Sequence, residues 1–228
     1  MELEGCEGLW HIYVQFGFLI FKFMVDWTPR NVHQMSCRAV AAIGSSIMSG
    51  PELSSNPAWT DLLISYSSDV CHTSIWLKLV PPHFRQTVSN IMPSVRRIRR
   101  HRVAAHRMVI PVLEARQEAS KDTGYLRPND LMQWIADKFA SEESNQNLEY
   151  QAELQLSNGL ATILSSSVAC THALFDLAYY TEYMEPLREE IDSIIAADNG
   201  LTREGLARME KLDSFLKESQ RHNVANFC

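Results

Sequence analysis

The first stretch of the chain is apolar without a clear period. Leu9 to Val25 reads LWHIYVQFGFLIFKFMV, seventeen residues against the roughly twenty that a membrane-spanning helix needs. His11, Gln15 and Lys22 interrupt it, and Met1 to Glu7 carries three Glu and no basic residue, which is not the start of a secretory signal. An apolar run this short reads equally as an interfacial or membrane anchor and as a buried helix or strand.

From Asp26 the pattern takes on the helical period. Thr28-Pro29 predicts an N-cap followed by Pro at the first helical position, with Val32, Met35, Ala39 and Ala42-Ile43 on one face and an end near Gly50-Pro51. A second helix follows Asn56-Pro57 and runs from Ala58 towards Leu79, where Pro81-Pro82 stops it. The third, Pro93 to Glu118, interleaves Arg96, Arg97, Arg99, Arg100, Arg102 and Arg107 with Val95, Ile98, Val103 and Met108, the pattern of a long amphipathic helix. Pro128-Asn129-Asp130 then announces a helix through LMQWIADKFA, and the polar Ser141 to Asn147 reads as a loop.

Glu149 to about Tyr180 gives the longest helical pattern. Its middle, LATILSSSVACTHALFDLA, is nearly apolar all round, which predicts an interior helix. Pro186 opens a further helix closed by Asn199-Gly200, and Thr202 caps a last one with Leu206, Met209, Leu212, Phe215 and Leu216 on one side. Consecutive helices with no repeat and no linker predict an all-α fold.

Composition fits that reading. Of 228 residues 46% are hydrophobic and 21% charged, the make-up of a packed globular chain rather than a disordered one. The net charge of −6 opposes general nucleic-acid binding, although the middle of the chain is locally basic. Five widely spaced cysteines, Cys6, Cys37, Cys71, Cys170 and Cys228, form no CxxC pair and suit a reducing compartment.

Three groups could carry chemistry. Ser165-Ser166-Ser167 and Thr171-His172 lie within the long apolar helix. Their hydroxyls either bond back to the carbonyl four residues earlier or stand beside a bound cofactor or substrate, and His172 is a core histidine, one at the helix surface, or a ligand. Glu218 and Arg221, three apart, share a helix face, where most such residues form an exposed ion pair. The arginine helix is a solvated face or a surface for nucleic-acid phosphates, anionic lipid or an acidic protein. Glu189-Glu190 and Glu142-Glu143 read as solvated charges. A GxSxG elbow and metal-ligand spacings of the HExxH kind are absent from the sequence.

Taken in order, these pieces resemble a known family. THALFDLAYYTEYMEPLREEIDSII followed by LTREGLARMEKLDSFLKESQR is similar to the central part of a cytochrome P-450 of the filamentous-fungal, secondary-metabolite kind. The family's [AG]Gx[DE]T[TS] helix motif falls on Ala161-Thr162-Ile163-Leu164-Ser165-Ser166, and its ExxR on Glu218 and Arg221. NPAWTDLLISYSSDV, the arginine helix and NDLMQWIADK resemble the substrate-access helices and the connection after them. The resemblance spans roughly Asp26 to Arg221.

It implies a partial, mainly helical cytochrome P-450-like domain over 26–228, behind an apolar segment 1–25 of uncertain role. It further implies haem, an apolar secondary metabolite such as a terpenoid as substrate, an electron-donating reductase, no nucleic acid, and membrane association at the cytosolic face of the endoplasmic reticulum, or else a cytoplasmic place. Ser165 and Ser166 fall at its proton-relay positions. The family's axial cysteine lies beyond ExxR in an FxxGxxxCxG loop, and the WxxxR helix for the haem propionates lies upstream. Neither string occurs here, and Cys228 has no glycine near it. The motif's Gly is Thr162 and its acid Leu164. The expectation is therefore a truncated chain that binds no haem and is inactive alone, with a non-catalytic helical remnant, binding a protein partner or a membrane surface, as the alternative.

Overall fold

A computed structural model describes residues 29–122, 124–139 and 148–223. Leu9 to Val25, Ser141 to Asn147 with Glu142-Glu143, and Cys228 lie outside the described residues. The all-α expectation holds: the described residues form helices joined by short turns, with no strand among them. Packing divides the chain into two compact units, one containing Cys37–Leu164, the other Asn31–Ser36 with Ser165 onward.

Helix α1 spans Val32–Met48. Asn31, not Thr28, caps it: the Asn31 side-chain oxygen accepts the Gln34 amide at 3.0 Å, so Pro29 stands before the helix rather than inside it. Gly50–Ser54 forms the short α2. α3 is Pro57–Lys78, with Asn56 accepting the Ala58 amide, and a 3₁₀ turn, Pro82–Phe84, leads into α4, Arg85–Ile91. α5 runs Pro93–Ala119 with Pro111 inside it. Pro111 is exposed, so the hydrogen bond it forfeits lies on the solvent side.

In the first unit α3 packs most extensively on α5. The core there includes Trp59, Leu63, Ala105, Val109, Leu113 and Leu156. Trp59 is fully buried and donates its indole N–H to Ser49 Oγ at 3.2 Å, which satisfies the one polar atom it takes out of water. Gly159 lets Leu63 approach: a Cβ there would stand 2.7 Å from a buried Leu63 methyl.

α6 is Leu131–Phe139. Asp130 caps it as the sequence predicts, accepting the Gln133 amide at 2.8 Å. α7 spans Leu148–Tyr179. It is not the interior helix expected from its apolar middle. Ala152, Leu156 and Ile163 are buried, but Leu174 and Phe175 are half exposed and Tyr179 is 79% exposed. A helix is interior only where neighbours cover every face, and here they cover one side.

In the second unit α8 is Met184–Asp198, ended by Asn199 in the left-handed region at φ 54°. The single last helix expected after Thr202 is two: α9, Arg203–Ala207, and α10, Glu210–His222. Three anchors divide them. Thr202 caps α9 by accepting the Gly205 amide at 2.9 Å, Asp198 accepts bonds from Thr202 and Arg208, and a separate cap starts α10.

Candidate functional site

The helix that carries Glu218 and Arg221 is held at both ends. At its start the Glu190 carboxylate accepts the amides of Lys211 and Leu212, each at 2.9 Å, two of the N–H groups that a helix start leaves unpaired. Glu190 is therefore a cap from α8, not the solvated charge expected of Glu189-Glu190. At its end the Asp176 carboxylate of α7 accepts the Ser219 hydroxyl at 2.5 Å and the Asn223 amide at 2.8 Å. Ser219 is 5% exposed, so this face of α10 is fixed from inside.

Glu218 and Arg221 themselves point outward. Their side chains are 57% and 65% exposed, and Arg221 donates Nε to Glu218 Oε2 at 2.9 Å and Nη2 to Oε1 at 2.5 Å. His222 Nε2 lies 3.1 Å from the same Oε1. The hydrogen bonds from Arg221, ahead of the other influences, bring the Glu218 carboxyl down to about 2. Among the described residues the pair is exposed, and exposed pairs contribute little to stability. Asp176 and Glu190, which sequence reasoning left out or misread, position the helix. The available sign for Asp176 was a lone acid inside the apolar run ALFDLAYY.

The hydroxyl string divides. Ser165 and Ser166 are exposed, whereas Ser167 is 1% and Thr171 7% exposed. Thr171 bonds back to the Ser167 carbonyl at 2.6 Å, the local arrangement expected of hydroxyls in a helix interior. Its Oγ1 also stands 3.4 Å from His33 Nδ1. His172 is half-buried. Thr162, at the motif's glycine position, turns its hydroxyl to Met48 Sδ at 3.5 Å.

The arginine helix is partly internalised. Arg97 makes a fork to Asp69 on α3 through Nε at 3.0 Å and Nη2 at 2.7 Å, with His101 Nε2 at 3.2 Å from the second oxygen. The Arg97 hydrogen bonds, against some desolvation, hold the Asp69 carboxyl below the usual carboxylate range. Arg102 pairs with Glu153 on α7. Deeper still, Arg116 is 6% exposed and bridges Asp130 and Glu52, at 2.7 Å to each. Burial works against its charge, but hydrogen bonds to Asp130 and Glu52 outweigh it and raise its pKa. Gly50, at φ 74°, supplies the room: a Cβ there would run into the Arg116 guanidinium and the Asp130 carboxylate. Nothing in the helical pattern singled out Arg116, because its role depends on residues 64 and 14 positions away.

The family model for Cytochrome P450 matches residues 32–226. The chain is 37% identical over 200 residues to the cytochrome P450 monooxygenase AN1598 of Emericella nidulans, covering 87% of this chain and 37% of that protein. It is 32% identical to the cytochrome P450 monooxygenase olcJ of Penicillium canescens, over 86% of this chain and 37% of the relative. Against the ent-kaurene oxidase P450-4 of Gibberella fujikuroi the identity is 30%, over 87% and 38%. The chain belongs to the cytochrome P450 family. It spans less than two fifths of the length of these three relatives.

The family implies haem, which the described residues do not fit. In this family the iron takes a cysteine thiolate as its axial ligand. Cys37 is packed in the core, Cys71 is half-buried on α3, and Cys170 is exposed on α7; none stands in an FxxGxxxCxG string. The cavity among α1, α3 and α7, lined by Ala41, Gly44, Ser49, Leu63, Gln155 and Thr162, has a volume of about 10 Å³, room for one water at most.

Proposed function

We propose that the chain is the central helical part of a haem-dependent monooxygenase that oxidises an apolar secondary metabolite, and that the 228 residues by themselves are inactive. The observation that carries this reading is the family match over residues 32–226, in which α7 and the ExxR helix α10 fall in order. Ser165 and Ser166 are its proton-relay positions: both are exposed on α7 and each hydroxyl can give and take a proton. In the longer enzyme Glu218 and Arg221 would become its structural pair, joined to a segment after α10. α3 and α5 cover the substrate entrance.

A terpenoid is the proposed substrate class, since relatives at 29% to 30% identity are ent-kaurene oxidases. An electron-donating reductase is the proposed partner, and nucleic acid is not one. The proposed location is the cytosolic face of the endoplasmic reticulum membrane, through Leu9 to Val25. Among the described residues one helix, Leu148–Tyr179, is long and apolar enough to cross a membrane by length and composition, but Gln151 and Gln155 are buried within the protein on it, as befits a packing helix.

A second reading has one observation in its favour. The exposed Arg96, Arg100 and Arg107 of α5 support a non-catalytic helical chain that binds a protein partner or a membrane surface. Sequencing the native transcript separates the two. Continuation in frame from Arg221 into an FxxGxxxCxG loop supports the monooxygenase; a stop codon after Cys228 overturns it.

A further inference from the structure

Three helices of the first unit meet around a polar atom that lacks a partner. Gln155 of α7 is 2% exposed, and its Oε1 accepts no hydrogen bond among the described residues. Buried carbonyl oxygens are nearly always paired, because an unpaired one forfeits the bond it had in water. Gln155 lines the cavity of about 10 Å³ among α1, α3 and α7, and a space of that size admits one water and nothing larger.

Glycines set the walls of this cavity. Gly44 brings α1 close to α7: a Cβ there would stand 3.1 Å from the Thr162 methyl. Gly159 brings α7 close to α3, where a Cβ would meet Leu63. Neither position can grow a side chain into the gap beside it without moving a neighbour. The gap keeps its polar lining, Ser45, Ser49, Gln155 and Thr162.

Two of these four hydroxyl and amide groups already have their protons placed. Ser45 donates its hydroxyl to the Ala42 carbonyl at 3.0 Å, and Thr162 turns its own to Met48 Sδ at 3.5 Å. Ser49 differs. Its Oγ accepts the Trp59 indole N–H at 3.2 Å, and a hydroxyl that accepts still has one proton to donate. Ser49 is 2% exposed and Trp59 fully buried, so solvent does not take that proton. The cavity wall thus presents one donor, the Ser49 hydroxyl, and one acceptor, Gln155 Oε1. An apolar cavity stays dry, whereas two polar partners meet the minimum that holds a buried water.

We infer that the cavity among α1, α3 and α7 binds one structural water, which donates to Gln155 Oε1 and accepts the Ser49 hydroxyl. It completes a chain of hydrogen bonds from the Trp59 indole on α3, through Ser49 at the end of α1, to Gln155 on α7. That chain crosses a core otherwise built of Ala41, Leu63, Leu156 and Ile163. The site is independent of haem and of the proposed monooxygenase.

Oxygen-17 relaxation dispersion of water in solutions of the 228-residue chain tests it, because that signal counts long-lived waters and ignores exchanging hydroxyl protons. Gln155→Met removes the acceptor at similar side-chain length and is expected to lower the amplitude by about one water per chain. Ser49→Ala is expected to lower it by the same amount, and the double variant by no more than either single one, since both remove the same molecule. Ser46→Ala, whose hydroxyl bonds the Ile43 carbonyl at 2.7 Å away from the cavity lining, is expected to keep the parent amplitude. Far-UV circular dichroism confirms that helix content is kept, and Ser49→Ala carries the test if Gln155→Met does not fold. A parent chain with no long-lived water, an unchanged amplitude in either single variant, a loss of two waters in the double variant, or an equal loss in Ser46→Ala overturns the inference.

Discussion

The Asp176 carboxylate on α7 accepts the Ser219 hydroxyl of α10 at 2.5 Å, and its same oxygen takes the Asn223 amide at 2.8 Å. Two residues 43 positions apart thereby fix the end of the helix that carries Glu218 and Arg221, while Glu190 fixes its start. Hydrogen bonds to a charged acceptor contribute about 1.5 to 3 kcal/mol each. Asp176→Ala is expected to lower the protection of the α10 amides in hydrogen exchange by at least tenfold, with Ser219→Ala giving a smaller loss. Unchanged protection in Asp176→Ala would show that packing alone holds α10.

Arg116 presents the opposite case, an ion pair inside the protein. Arg116→Met leaves Asp130, 3% exposed, without its cation, and breaking one side of a buried pair costs about 3 to 5 kcal/mol. Gly50→Ala strikes the same place sterically and through its backbone at φ 74°, at about 1 to 3 kcal/mol. Thermal unfolding of each variant reads these losses. A midpoint for Arg116→Met within a degree of the parent contradicts the assignment.

Glu218 has its carboxyl lowered from an ordinary 4.5 to about 2 by Arg221. A lowered folded-state pKa contributes stability that is complete above the unfolded value and lost as pH falls through the folded one. The contribution of this pair is therefore full above about 4.5 and fades towards 2. Its size is small, because the pair is exposed. Asp69, lowered chiefly by the hydrogen bonds of Arg97, adds a loss of the same sign at acid pH. Carbon-detected NMR titration of the Glu218 carboxyl is the check, and a midpoint near 4.5 refutes the pairing.

For haem the expected outcome is negative. The 228-residue chain, reconstituted with haem, reduced and exposed to carbon monoxide, is expected to lack the red-shifted Soret band of a thiolate-ligated iron. Cys228→Ser is expected to leave haem retention unchanged. The appearance of that band, and its loss in the Cys228 variant, would identify a ligand outside the FxxGxxxCxG pattern.

Much of the fold was legible from local rules. Asn56 and Pro57, Pro93, Asp130 and Asn199-Gly200 mark helix ends by capping chemistry and backbone preference, which act within a few residues and so are written in the string. The start of α1 was misplaced because Asn31 competes with Thr28 as a cap only three residues later. The break at Arg208-Met209 was missed because Glu190, which caps α10, comes from another helix.

What the sequence determined by itself is the all-α class, most helix boundaries and the family, since each rests on period, caps or ordered motifs along the chain. Tertiary structure decided which charges are structural. It buried Arg116 between Glu52 and Asp130, turned Asp176 onto Ser219, neutralised Arg97 and Arg102, and left Arg96, Arg100 and Arg107 open to solvent. The physical reason is that an ion pair or a buried hydrogen bond depends on which side chains meet in space, and residues 14 to 64 positions apart carry no periodic mark of their meeting.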